Sequence, residues 1–160
     1  MKKLTHELTY PGASLDQVVA MLADPAYREA VCDAQRVLRR SVSVEGAGAG
    51  MRVRQEQVQA STGIPGFAKK LVGDEITIVT EETWSSDTAA AVTVSLPGKP
   101  ADMAGSISVV DSGGAVVEIV VLEISVSIPF VGGKVESLLV DLMGSALSKE
   151  NEVGRTWLAT

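Results

Sequence analysis

The chain has 160 residues, of which 46% are hydrophobic, enough for a sizeable core. No polar linker, repeat or low-complexity block divides it, so residues 1–160 are expected to form a single domain. A formal net charge of −6 argues against a nucleic-acid-binding protein, and one cysteine excludes an internal disulfide and fits a reducing compartment.

The N-terminal segment predicts a half-buried strand, because residues 4–10 alternate between apolar and polar types before Pro11. On this pattern His6 points inward with its apolar neighbours. Residues 1–7 include two lysines but no apolar stretch of the kind found in signal peptides, so a cytoplasmic protein is expected.

Two short helices are predicted to follow the first strand. Ser14 and Gln17 have the spacing of a capping box, which opens the first helix. Asp24 caps the second, with Pro25 at its first position, and this helix is expected to run to about Cys32. Cys32 itself is interpreted as a small core residue.

A period of two then predicts about six consecutive strands. Glycine-rich turns at 46–50 and 112–114 separate two pairs of them. The last strand carries Glu118 among its valines and isoleucines. Because Glu118 and Glu123 interrupt the longest apolar run, 115–130, no membrane span is expected.

The segment Ser61–Gly73 is predicted to be a functional loop. Phe67 and Leu71 suit a lid over a cavity mouth, and a short helix packed shut onto the core is the alternative. Phe67 beside Lys69 and Lys70 allows a third interpretation, docking to a membrane surface.

A long amphipathic helix is predicted from Gly132 to Leu158, with Gly133 as N-cap and Glu136 in the first turn. Glu150 projects within its apolar stripe. The apolar side is formed by Val135, Leu138, Leu139, Leu142, Met143, Ala146, Val153 and Trp157.

Sequential strands with short connections predict an antiparallel sheet in an α+β fold. The only long amphipathic element available to cover it is the last helix. Because the inward residues are mostly small, a tunnel between sheet and helix is one hypothesis, and a tightly filled core is the other.

Several short motifs are similar to those of a known family. They are Tyr10-Pro11, Asp24–Glu29, Ile64–Lys70 with Gly73, Glu82 with Trp84, Pro129–Glu136, and Trp157-Leu158. The order of elements resembles the helix-grip fold of START domains, Bet v 1-like proteins and polyketide cyclases. More narrowly, the chain resembles the actinobacterial family of unknown function DUF2505. The resemblance implies a curved antiparallel sheet of about seven strands on a C-terminal helix, and a cavity for an apolar ligand. It implies no catalytic residues.

Polar residues also fall on faces predicted to point inward. They are His6, Arg40, Gln55, Gln57, Glu82, Glu118 and Glu150. Buried charges are costly unless paired, so Arg40 is expected to pair with Glu82 or Glu118. A clamp on a ligand carboxylate is the alternative role for Arg40. The arginines between Arg28 and Arg54 are interpreted as a solvated basic face, with an anion site as the alternative.

No cofactor or metal is expected, because one histidine and one cysteine give no metal-ligand spacing and no phosphate-loop motif is present. The favoured hypothesis is therefore a binding or transport protein for a small hydrophobic or amphipathic molecule, lipid-like or polyketide-like. Its candidate ligand-binding residues are His6, Arg40, Gln55, Phe67, Leu71, Ile78, Glu82, Trp84, Leu139, Leu142, Met143 and Glu150.

Two other hypotheses stay open. One is a cyclase-, isomerase- or hydrolase-like enzyme that uses His6 with Glu82 or Glu150 for proton transfer. The other is a regulatory protein-interaction module with a filled core. We expect a binding protein rather than an enzyme.

Overall fold

Seven antiparallel strands form the framework of the structure, a computed structural model that describes residues 1–160. The strands are β1 (Lys2–Pro11), β2 (Arg39–Glu45), β3 (Arg52–Ala60), β4 (Glu75–Ser86), β5 (Ala89–Ser95), β6 (Ala101–Asp111) and β7 (Ala115–Val126). Their order across the single sheet is β1-β7-β6-β5-β4-β3-β2, so β1 and β2 are the edges. Six of the strands are consecutive in the chain, as the alternating pattern predicts, and only the connection between β3 and β4 contains a helix.

Four helices accompany the sheet, and they are α1 (Leu15–Leu22), α2 (Pro25–Ala34), α3 (Gly66–Val72) and α4 (Gly132–Ala159). The capping box of α1 is confirmed: Gln17 N–H donates to Ser14 Oγ at 3.2 Å, and Ser14 N–H donates to Gln17 Oε1 at 2.9 Å. Asp24 caps α2 by accepting from Ala26 N–H at 2.9 Å. These side chains satisfy donors that every helix start leaves free.

The long helix α4 packs against β1, β7, α1 and α2. Near its end Gly154 is buried, and a Cβ placed on it would lie 2.5 Å from Tyr10 Cε1. The missing side chain therefore allows the Tyr10 ring to lie directly against the helix backbone.

The predicted start of α4 is wrong in one respect. Val131, not Gly133, occupies the N-cap position, and no side chain caps the helix. Glu136 is therefore the fifth helical residue rather than the third, two residues too far along to cap the helix. Its Oε2 instead accepts from Val126 N–H at 3.0 Å, which ties α4 to the end of β7 and lowers the pKa of Glu136.

The segment Ser61–Gly73 contains α3, so the alternative of a short packed helix is the correct one. Ala68 is buried, and Phe67 and Leu71 pack against the core. Lys134 Nζ lies 4.6 Å above the centre of the Phe67 ring, a cation–π contact that links α3 to α4. None of the four helices combines the length and apolar character needed to cross a membrane.

Candidate functional site

A cavity of about 310 Å³ lies between the sheet and α4. Of the 27 residues that line it, 17 are hydrophobic, which suits the burial of an apolar molecule. The exposed residues Thr62 and Gly63, between β3 and α3, mark where the cavity reaches the surface. The side chains of valine, isoleucine and leucine that dominate the lining are too short to fill the space. A filled core is therefore ruled out.

One wall of the cavity is a chain of glutamine amides. Gln35 Nε2 donates to the carbonyl oxygen of Ala146 at 3.1 Å, and Gln57 Nε2 donates to Gln35 Oε1 at 2.8 Å. Gln59 Nε2 then donates to Gln57 Oε1 at 3.3 Å. These bonds connect α4, α2 and β3, and they give the apolar cavity a polar strip that is already hydrogen-bonded.

Cys32 lies behind this wall and contacts two glutamines that line the cavity. Its Sγ accepts from Gln57 Nε2 at 3.1 Å and lies 3.5 Å from Gln55 Oε1, to which the thiol can donate. The side chain is fully buried, and burial raises the pKa of the thiol. These observations fit the core role expected for Cys32, because a reactive cysteine needs a stabilised thiolate.

The inner end of the cavity contains a buried ion pair between α2 and β4. Arg28 Nη1 and Nη2 donate to the two oxygens of Glu82 at 2.8 and 2.9 Å. Arg28 Nε donates to the carbonyl oxygen of Leu22 at 2.9 Å, and Trp84 Nε1 donates to Glu82 Oε1 at 2.9 Å. Burial opposes the charge on Arg28, but the charge and hydrogen bonds of Glu82 raise the pKa of Arg28 overall.

Two further carboxylates line the same region, Glu118 from β7 and Glu150 from α4. Glu118 is 2% exposed and accepts one long hydrogen bond, from the Tyr10 hydroxyl at 3.4 Å. Burial raises the pKa of Glu118 to about 8, and the charge of Glu150 adds to this effect. Burial likewise raises the pKa of Glu150 to about 7, against the opposing effect of Arg28.

Two buried tyrosines complete this end. Burial raises the pKa of Tyr10 and of Tyr27, so both hydroxyl groups stay protonated and can donate hydrogen bonds. The Tyr27 hydroxyl has no hydrogen-bond partner among the protein atoms. The Tyr27 ring stands edge-on to Trp157, with ring centres 5.7 Å apart, which fixes its position against α4.

The structure corrects the placement of Arg40. Arg40 bonds Asp33 and Glu29 of α2, each at 2.7 Å, on the outside of the molecule. It reaches this surface because β2 is an edge strand. The partner of Glu82 is Arg28, so Arg28 does not belong to a solvated basic face.

His6 also lies outside the cavity. It lines a shallow groove on the other side of α4, with Gly144, Ser148 and Glu152 among its neighbours. Its side chain does point toward the helix, but β1 is the opposite edge strand and α4 separates His6 from Glu150. The enzymatic hypothesis that pairs His6 with a cavity carboxylate is therefore wrong in its geometry.

Three of the remaining candidates do not line the main cavity. Trp84 is 1% exposed, lies on the same face of β4 as Glu82 and donates a hydrogen bond to it, so it supports the ion pair. Leu71 lines a second, apolar cavity of about 60 Å³ between α3 and α4. Phe67 lies near the start of α3, where its ring contacts Lys134.

Seven of the candidate residues do line the cavity, and they are Gln55, Ile78, Glu82, Leu139, Leu142, Met143 and Glu150. The sequence interpretation missed Arg28. A signal for it exists, because Arg28 lies four residues before Cys32 and therefore shares its helical face. Nowhere in the structure do three or more histidine, cysteine or acidic side chains lie together as they would around a metal ion.

A curved antiparallel sheet wrapped on a long C-terminal helix, with a cavity between them, defines the START/Bet v 1-like helix-grip class. Within this class, the chain belongs to the family described as protein of unknown function (DUF2505), whose model matches residues 5–158. No functionally curated protein matches the sequence.

Solved structures share the fold at low sequence identity. A START superfamily protein from Mycobacterium smegmatis is 12% identical with a TM-score of 0.58, covering 98% of this chain and 97% of that one. Truncated norcoclaurine synthase from Thalictrum flavum is 18% identical with a TM-score of 0.64, covering 99% and 94%. The di-domain ARO/CYC StfQ of the steffimycin biosynthetic pathway is 9% identical with a TM-score of 0.64, covering 98% and 51%.

Proposed function

We propose that the protein binds a small hydrophobic or amphipathic molecule in the cavity between the sheet and α4. The observation that carries this proposal is the 310 Å³ cavity with its predominantly apolar lining. That volume falls within the range of known small-molecule sites, which is roughly 300–1,000 Å³. Removal of apolar ligand surface from water supplies about 25 cal/mol per Å².

The ligand would enter beside Thr62 and Gly63, where the lining residues become exposed. Its apolar part would contact the aliphatic residues of β4 to β7 and the stripe of α4 that contains Leu139 and Met143. The polar groups at the inner end would fix its orientation. A binding or transport role in the cytoplasm, rather than catalysis, is the function that we infer.

The direct test is titration with N-phenyl-1-naphthylamine, a hydrophobic dye whose fluorescence rises when it leaves water. We expect saturable binding to the wild-type protein. Ala146→Phe places a ring in the cavity and should weaken binding at least about tenfold, because the dye and the ring would need the same space.

The matched control is Ala104→Phe, the same change on the exposed face of β6. It should leave dye binding unchanged. Native mass spectrometry of the freshly purified protein provides a second measurement, in which a co-purified small molecule is expected. If the dye does not bind and no molecule co-purifies, the proposal is refuted.

A further inference from the structure

The cavity lining contains three carboxylates, Glu82, Glu118 and Glu150, and no lysine, arginine or histidine. Arg28 is the one buried cation beside them, and it lies behind the lining rather than in it. Carboxyl groups at this end therefore outnumber the buried cations three to one.

The contacts decide which of these carboxylates remains free. Glu82 accepts two hydrogen bonds from Arg28 and one from Trp84, all between 2.8 and 2.9 Å. The two charges of the pair cancel and most of their hydrogen-bonding capacity is used. Glu82 and Arg28 are therefore a structural unit that holds α2 on β4.

Glu118 and Glu150 have no such partner. Glu118 is only 2% exposed and lines the cavity. It accepts a single hydrogen bond, from the Tyr10 hydroxyl at 3.4 Å. The side chain of Glu150 makes no hydrogen bond to the protein. Glu150 is half-buried, and one oxygen of Glu118 accepts no hydrogen bond from the protein, so a group that supplies hydrogen bonds and positive charge would be stabilised at this largely apolar site.

A ligand carboxylate would be disfavoured at the same place. Its negative charge would lie beside Glu118 and Glu150 and would repel either of them when ionised, in surroundings where water screens little. The guanidinium of Arg28 cannot bind the ligand carboxylate, because its Nη1 and Nη2 already donate to Glu82.

We propose that the occupant of the cavity is an amphipathic amine, whose protonated nitrogen binds Glu118 and Glu150 while its apolar body fills the aliphatic part. This proposal rests on the proposed binding function and specifies its ligand class. An ammonium group has three donors and no acceptor, which matches two carboxyl groups whose only hydrogen bond from the protein is the long one from Tyr10 to Glu118.

The test is calorimetric titration with three probes of equal chain length: octylamine, octanol and octanoate. We expect octylamine to bind roughly 10- to 100-fold more tightly than octanol, the gain typical of a charged hydrogen bond, and octanoate to bind most weakly. Glu118→Gln and Glu150→Gln should each reduce the preference for octylamine over octanol. The matched control, Glu123→Gln on the exposed face of β7, should not change it.

A pH series adds a second measurement on the wild-type protein. An alkylamine, like lysine, stays protonated below a pH of about 10, whereas the raised pKa of Glu118 and Glu150 leaves these groups mostly neutral near pH 6. The preference for octylamine should therefore increase from pH 6 to pH 8.5. The groups around them, Arg28, Tyr10 and Tyr27, keep their protonation state over this range.

The outcomes separate the two proposals. If octanol binds and octylamine binds no more tightly, or if octanoate binds best, the amine proposal is overturned while the binding function stands. If none of the three probes binds in the cavity, both proposals fail. The wild-type comparison suffices for this decision even if a glutamine variant does not fold.

Discussion

The ion pair between Arg28 and Glu82 makes a sharp prediction about stability. Replacing Arg28 with methionine keeps a long apolar side chain but removes three hydrogen bonds and leaves the carboxylate of Glu82 buried without a cation. Breaking one side of a buried pair typically costs about 3–5 kcal/mol. We expect Arg28→Met to lower the free energy of unfolding by about this amount.

The chain contains a matched control. Arg39 and Glu75 form a pair of the same length, 2.8 Å, but their side chains are 63% and 48% exposed. The side chains of Arg28 and Glu82 are only 3% and 5% exposed. Because water screens the exposed pair, Arg39→Met should cost less than about 1 kcal/mol.

Urea denaturation followed by tryptophan fluorescence measures the difference, since Trp84 contacts Glu82 directly. With a slope of about 2 kcal/mol per molar urea, Arg28→Met should lower the midpoint by roughly 1.5–2.5 M. The double variant Arg28→Met with Glu82→Leu should recover much of this loss, though not all, because Trp84 Nε1 would lose its acceptor. Equal midpoints for Arg28→Met and Arg39→Met would refute the reasoning.

Two other predictions follow from the region around Tyr10. Gly154→Ala should lower the free energy of unfolding by roughly 1–3 kcal/mol in urea denaturation, because its Cβ would overlap the Tyr10 ring. Gly144→Ala on the same helix has open space around its Cβ and should raise stability by about 0.5–1 kcal/mol; a loss as large as that of Gly154→Ala would contradict the packing argument. Glu118 has a folded pKa of about 8, above its unfolded value, so its contribution to stability is fully present below the unfolded pKa and is lost as pH rises through about 8. Glu118→Gln should therefore stabilise the protein more at pH 9 than at pH 5, and urea midpoints that differ equally from wild type at both pH values would exclude a protonated Glu118.

Local patterns in the sequence determine the elements of this fold. Alternation predicts which strand residues point inward, and it places Glu82 and Glu118 on the correct face because side chains change sides at every residue of a strand. The helical period predicts α4 and the position of Glu150 within its apolar stripe. The capping box at Ser14 is also local, since both partners lie within one turn.

Charge partners and cavities are decided by the tertiary structure, because they depend on which elements meet. The sequence interpretation pairs Arg40 with Glu82 or Glu118. The structure pairs Glu82 with Arg28, which is 54 residues away and meets it only because α2 packs on the inner face of the sheet. His6 points inward as its strand predicts, yet α4 lies between it and the cavity. The volume left beneath α4 depends on how closely helix and sheet approach, and Gly154 allows a close approach at Tyr10 because it has no side chain.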